Sequence, residues 1–146
     1  MQPSTSTIRQ IDLKEACVNF MFSYQQKDVP AMLSYCSPTA TVFFQPLGEN
    51  GKGTVAELGK ALWEGLIASF PDLDNTIDST IANDEDTIRC QVVIRGTQQS
   101  DFADIINKRK GFESEHIFIF KLDGQGKISH IDIKWDHTYL KKQLGN

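Results

Sequence analysis

The chain has 146 residues, a formal net charge of −4 and a hydrophobic fraction of 40%, which predicts one ordinary globular domain spanning residues 1–146. The acidic balance, with a single short basic run at residues 108–110, argues against a nucleic-acid partner. No apolar stretch approaches the roughly 20 residues of a membrane-spanning helix, and the first residues lack the apolar core of a signal peptide, so we expect neither a membrane partner nor export.

The sequence has three cysteines, Cys17, Cys36 and Cys90, without C-x-x-C spacing. An odd number indicates core thiols in a reducing cytoplasm rather than a disulfide framework. The histidines are not clustered with the cysteines at ligand spacing, so no metal site is expected. No phosphate-binding glycine loop or nucleophile motif is present, and we therefore expect no cofactor.

The first part of the chain predicts helices. Apolar residues recur at helical spacing over residues 8–26, with Asp12 as the expected N-cap and Glu15 as its capping-box partner. Asp28 predicts the cap of a second, short helix that reaches Cys36.

A short strand is predicted next, at residues 40–45, followed by a glycine-bearing loop at 47–53. A wide apolar face then predicts a third helix at residues 54–70, which Pro71 ends.

The second half of the chain predicts strands that alternate in polarity. The predicted strands are 75–82, 87–98, 111–122 and 127–136, with hairpin turns at 83–86 and 123–126. The connection at 99–110 is polar, with a helical turn expected at 102–106. Helices followed by antiparallel strands predict an α+β fold with helices on one face of a sheet. A curved sheet closed by helices leaves a cavity suited to a small molecule.

His116 lies in the most strand-like segment of the chain, residues 112–120. Since a strand alternates faces with period two, His116 shares its face with phenylalanines, while Ile117 and Ile119 take the other face. The imidazole is therefore either a hydrogen-bonded core group or a titratable group that lines an apolar pocket.

Five motifs occur in order along the chain: Ala-Ser-Phe-Pro-Asp-Leu at 68–73, Val-Val-Ile-Arg-Gly-Thr-Gln at 92–98, His-Ile-Phe-Ile-Phe at 116–120, Gly-Lys-Ile at 126–128 and Trp-Asp at 135–136. With the order of the elements, they make the sequence resemble the SnoaL-like polyketide cyclases of the NTF2-like superfamily. The resemblance implies an α+β cone in which N-terminal helices pack on a curved, mostly antiparallel sheet that encloses a pocket.

The resemblance also implies candidate site residues. Cyclases of this group use an acidic general acid/base, without metal or cofactor, at the position that His116 occupies here. Their Gly-Thr-His motif is matched by Gly-Thr-Gln, so Gln98 replaces a pocket histidine. A histidine can abstract a proton near neutral pH, and a glutamine can hold a carbonyl or enolate oxygen by a hydrogen bond. The connection at 99–110 lacks the glycine- and proline-rich hairpin common in the family, which predicts a different pocket mouth.

Asp132 shares a strand face with His130 and Lys134. If that face points inward, Asp132 can orient His116 or transfer a proton beside it, as in paired acid/base sites. If it points outward, Asp132 and Lys134 are solvated charges.

Four aromatic residues are the candidate substrate-pocket residues. Helical aromatics are usually core residues, but in a cone fold some form the wall of the pocket. Tyr24, Trp63 and Phe70 lie on the predicted helices, and Phe118 lies on the strand face that contains His116.

Two functions remain open at this point. One is a cofactor-independent enzyme that performs cyclisation, isomerisation or elimination on a small hydrophobic or polycyclic molecule. The alternative is a non-catalytic module that binds a hydrophobic ligand or dimerises, and in either case we expect a homodimer through the sheet, by way of Ile117 and Ile119.

Overall fold

A computed structural model describes residues 5–146 of the chain, with side chains from Ile11 onward. The α-helices are α1 (Thr5–Gln25), α2 (Val29–Ser34), α3 (Lys60–Ser69) and α4 (His137–Gln143). The strands are β1 (Cys36–Phe44), β2 (Lys52–Thr54), β3 (Asp74–Ala82), β4 (Thr87–Thr97), β5 (Gly111–Leu122) and β6 (Ile128–Trp135). A 3₁₀ helix (Gln45–Gly51) and a π-helical turn (Val55–Gly59) connect β1, β2 and α3.

The six strands form one curved, unclosed sheet in the order β2-β1-β6-β5-β4-β3. Strands β1 and β6 are parallel, and all other neighbouring pairs are antiparallel. Helix α1 contacts β3 and β4, while α2 contacts β1 and α3. Helices α1 and α2 therefore lie on one face of the sheet, which we call the inner face; the opposite face is the outer face.

Alternation of side chains separates the two faces, most clearly on β4 and β5. Every second residue of β4 is buried on the inner face, and the same holds for β5 from Phe112 to Leu122. Phe20 of α1 joins this layer to α3, because its ring contacts Trp63 at 5.5 Å and Phe120 at 5.3 Å, both edge to face. Such aromatic contacts add about 0.5–1.5 kcal/mol each to the free energy of burial.

The predicted α+β order is confirmed. Strand β5 has the predicted bounds, and the other predicted strands agree to within a few residues at each end. The cap on the second helix is also confirmed, because the Asp28 carboxylate accepts a hydrogen bond from the amide of Ala31. The third predicted helix is present as the π-helical turn and α3, with Thr54 as N-cap.

Several local predictions were wrong. Asp12 lies inside α1 and caps nothing, and Cys36 begins β1 instead of ending α2. The expected helical turn at 102–106 is a tight turn closed by a bridge between Phe102 and Ile105. Strand β2 and helix α4 were not predicted, since three and seven residues are too few to display a clear period.

No helix among residues 5–146 combines the length and the apolar character needed to span a bilayer.

Gly51, at the end of the 3₁₀ helix, makes a close backbone approach. A Cβ atom placed there would collide with the carbonyl oxygen of Phe44 and lie 3.1 Å from Cβ of Leu47. We expect Gly51→Ala to lower the free energy of unfolding by about 1–3 kcal/mol, the usual range for overpacking. Urea unfolding measures the change.

The matched control is Gly124→Ala, because a Cβ atom at Gly124 meets no atom within 4 Å. Its free energy of unfolding should stay within about 0.5 kcal/mol of the wild-type value. Equal losses for the two variants would contradict the packing argument.

Candidate functional site

A small apolar cavity of about 50 Å³ lies between α3, the inner face of the sheet and the turn at 102–105. It is large enough for water molecules, yet well below the roughly 300–1,000 Å³ of common ligand pockets. The candidate pocket residues Tyr24, Trp63, Phe70 and Phe118 all line it. Burial raises the pKa of Tyr24, so its phenol keeps its proton.

His116 also lines this cavity. The register of the sheet places it directly opposite Trp135 across β5 and β6, and the two rings stack at 5.3 Å with 16° between their planes. The side chain is 8% exposed. Its Nε2 atom shares a 2.8 Å hydrogen bond with the Ser114 hydroxyl, and Nδ1 has no hydrogen-bond partner among residues 11–146, the part of the chain whose side chains are described.

Burial controls the charge of His116. Removing an imidazolium from water is unfavourable, so burial lowers the pKa of His116 from 6.5 to about 3. The ring is therefore neutral at physiological pH. His116 is thus both a buried, hydrogen-bonded group and part of the cavity wall, the two alternatives that the sequence left open.

Gln98 does not hold the position that the sequence predicted. It is fully buried at the end of β4, where its amide nitrogen donates to the carbonyl oxygens of Ser100 and Ile105, both at 3.1 Å. Both N–H groups are therefore used to hold the turn that forms one wall of the cavity. The expected role as a donor to a substrate oxygen is wrong for this geometry, because no N–H remains free.

Asp132 lies on the outer face of β6, on the opposite side of the sheet from His116. The register aligns it with Ile119 of β5 and Phe43 of β1, and its carboxylate lies 3.1 Å from Nε2 of His130. The hypothesis that Asp132 acts together with His116 is therefore wrong.

Two polar residues that the sequence reasoning missed also line the cavity: His137, the first residue of α4, and Asp104, in the turn at 102–105. Nδ1 of His137 accepts a 3.1 Å hydrogen bond from the Trp135 indole, and Nε2 lies 3.8 Å from the Asp104 carboxylate. Lys141 binds the same carboxylate at 3.0 Å, and this hydrogen bond is the main cause that lowers the pKa of Asp104. The signal that could have identified His137 is the N-cap Asp136, which predicts a helix that begins at His137.

The cysteines are buried, free thiols. Burial raises the pKa of Cys17 and raises that of Cys36 to about 12, so both stay protonated and unreactive at neutral pH. Within residues 5–146, no three side chains of the His, Cys, Asp or Glu types are grouped closely enough to hold a metal ion.

Comparison with known proteins identifies one family for this chain. The model of the family "SnoaL-like polyketide cyclase" matches residues 23–144. Comparison with the curated proteins finds no match.

Solved structures share the fold at low identity. A SnoaL-like protein from Jannaschia Sp. CCS1 has a TM-score of 0.81 and 14% identity, covering 99% of this chain and 96% of its own. AclR from Streptomyces galilaeus has a TM-score of 0.78 and 19% identity, covering 93% and 97%. The epoxide hydrolase/cyclase-like enzyme SalBIII, from pyran ring formation in polyether salinomycin, has a TM-score of 0.70 and 18% identity, covering 87% and 92%.

The lowered pKa of His116 predicts a pH dependence of stability. The pKa is about 3 in the folded chain and 6.5 as the unperturbed value, so the unfolded state binds the additional proton between these limits. The stability from neutral His116 is complete above the upper value and is lost as the pH falls, by about 1.4 kcal/mol per pH unit. Urea unfolding at a series of pH values measures this slope.

His116→Gln is the control, since a glutamine keeps a hydrogen bond available to Ser114 and does not titrate. Between about pH 6 and about pH 4 its free energy of unfolding should fall less steeply than that of the wild type. Parallel curves would show that His116 is not held neutral.

Proposed function

The chain belongs to the SnoaL-like polyketide cyclase family, and on that premise we propose that it is a cofactor-independent enzyme that moves a proton on a small, mostly apolar, oxygen-bearing molecule. His116 is the base that removes a proton from a carbon next to a carbonyl group. The same step can begin an aldol cyclisation, an isomerisation or an elimination.

The observation that carries this proposal is a neutral imidazole on the wall of an apolar cavity. His116 is buried and uncharged in the resting protein, and one of its ring nitrogens has no hydrogen-bond partner among the described side chains, residues 11–146. An apolar cavity with a few polar groups of this kind is the usual form of a small-molecule site.

The Ser114 hydroxyl is compatible with the required tautomer, because a hydroxyl can accept a hydrogen bond from Nε2. With its proton on Nε2, His116 donates to Ser114 at 2.8 Å and leaves the lone pair of Nδ1 available. The C–H bond of the substrate breaks, Nδ1 gains the proton, and the electron pair moves to the carbonyl oxygen as an enolate. The imidazolium and the enolate are formed together, and each stabilises the other strongly in apolar surroundings.

The size of the cavity supports a small substrate and a wall that moves. About 50 Å³ does not admit a ring, so binding requires a displacement of side chains. The turn at 102–105 is the segment proposed to move, because Ala103 has a φ of 50°, a conformation unfavourable for a residue other than glycine.

The chemistry also fits a fold that supports ring formation elsewhere. SalBIII has a role in pyran ring formation, and that role is a property of SalBIII alone. A non-catalytic binding module would use the same cavity without turnover, so an assay of chemistry is required to separate the two functions.

The test is the exchange of hydrogen for deuterium in 2-indanone, a small apolar ketone with acidic hydrogens next to its carbonyl. We expect the wild type to accelerate deuterium incorporation in D₂O, followed by NMR. His116→Gln should reduce this rate by about 10²-fold or more, since it removes the base. His130→Gln, on the outer face, is the matched control and should leave the rate unchanged.

The pH profile gives a second readout of the same assay. Since His116 is already neutral above a pKa of about 3, its titration should produce no fall in rate between about pH 8 and about pH 5. Binding of 2-indanone without exchange would instead favour the non-catalytic module.

We further propose a homodimer through the outer face of the sheet. Ile117 and Ile119 are partly buried there, beside the charged residues Arg89, Asp132 and Lys134. An apolar centre with a charged rim is typical of protein interfaces.

The buried free thiols support a reducing compartment such as the cytoplasm.

Light scattering after size exclusion tests the dimer. Ile117→Lys should shift the chain to a monomer, because it puts a charge at the apolar centre of the contact, opposite Lys134. Phe22→Lys, at a position on α1 that is 57% exposed, is the control and should keep the wild-type mass. A monomeric wild type would contradict the proposal.

A further inference from the structure

Proton abstraction next to a carbonyl leaves negative charge on the carbonyl oxygen, and that oxygen needs a hydrogen-bond donor. Gln98 was expected to be this donor, but both of its N–H groups are bound to the carbonyl oxygens of Ser100 and Ile105. The oxygen-binding group must therefore be another residue on the cavity wall.

The hydrogen bond from Trp135 determines the tautomer of His137. An indole nitrogen can only donate, so Nδ1 of His137, 3.1 Å from it, must present a lone pair. A neutral His137 then carries its proton on Nε2. The ring is partly buried, with 22% of its side chain exposed.

Among residues 11–146, whose side chains the structure describes, the proton on Nε2 is not used by another hydrogen bond. The Asp104 carboxylate lies 3.8 Å from Nε2, which is beyond hydrogen-bond distance. Asp104 is instead bound by Lys141 at 3.0 Å. The third charged neighbour, Asp136, accepts from the amide of Tyr139 as the N-cap of α4.

His116 and His137 contact the same indole. The His116 ring is stacked on Trp135 at 5.3 Å, and the His137 ring contacts Trp135 edge to face at 5.9 Å. Both histidines line the same cavity. One therefore has a free ring nitrogen for the proton, and the other has a free N–H for the oxygen.

We infer that the Nε2–H group of His137 is the hydrogen-bond donor that binds the carbonyl oxygen of the substrate, with Trp135 and Asp104 as the residues that position its ring. The inference rests on the proposed function, because a donor to the carbonyl oxygen is needed only if His116 removes a proton from the neighbouring carbon. His116 takes the proton from carbon, and the electron pair moves to the oxygen that His137 holds. Return of the proton to carbon restores both residues.

The test compares two ligands that differ by one oxygen, 2-indanone and the hydrocarbon indane. Titration calorimetry of the whole chain should show that His137→Asn weakens the binding of 2-indanone about 3- to 10-fold, the value of one hydrogen bond, and leaves that of indane unchanged. Asparagine keeps an acceptor for the Trp135 indole and removes the outer N–H. His137→Gln, which can place an amide N–H near Nε2, should restore part of the affinity.

The matched control is His130→Asn, because His130 also lies beside an aspartate, on the opposite face of the sheet. It should leave both affinities unchanged. In the exchange assay His137→Asn should lower the rate about 10²- to 10³-fold, as the loss of one oxygen-binding donor does.

A measurement on the wild type keeps the inference testable if a variant fails to fold. In ¹⁵N NMR, the Nε2–H signal of His137 should shift when 2-indanone binds and should not shift with indane. Failure of 2-indanone to bind, an unshifted signal, or a His137→Asn variant that retains the preference for the ketone would each overturn the inference.

The two proposals fail in different ways. A preference for 2-indanone that depends on His137, without any deuterium exchange, would overturn the proposed enzymatic function and support His137 as the oxygen-binding residue. Exchange that depends on His116 but is unaffected by His137→Asn would support the proposed enzymatic function and overturn the role of His137 as the oxygen-binding residue.

Discussion

The pairing of β5 with both of its neighbours is the constraint on which the site depends. The strand is aligned with β4 along its whole length and with β6 over its second half. Because side chains on a strand alternate between faces, this register leaves no freedom in where each residue points. It places His116 on the inner face among phenylalanines and sets it against Trp135.

Trp135 contacts both histidines that line the cavity. Its ring face covers His116, which burial keeps neutral, and its N–H group orients His137 beside the ionised Asp104. The site thus has an uncharged, apolar interior and a charged rim. Charge that forms on a substrate during proton transfer interacts strongly with polar groups in the interior of the cavity, because water is excluded there. The charged groups at the rim remain solvated.

The cavity wall contains a polar scaffold of its own. Gln98 binds two carbonyl oxygens of the turn, and its own Oε1 atom is buried without a partner among the described residues. Leaving a buried acceptor unpaired is unfavourable by about 1–3 kcal/mol. A residue with this arrangement supports the shape of the wall, and its effect on a ligand is exerted through the turn.

Sequence patterns alone predicted the order of helices and strands, the bounds of β5 and the apolar face that contains His116, because these follow from local periodicity and from turn residues. Periodicity also showed that Asp132 and Ile131 take opposite faces, but only the register with β5 decided which face points inward. His137 and Asp104 are far apart in the chain and belong to segments too short to show a period, so only the tertiary structure could bring them to one cavity. The same holds for Gln98, whose hydrogen bonds depend on a turn that sequence patterns did not describe.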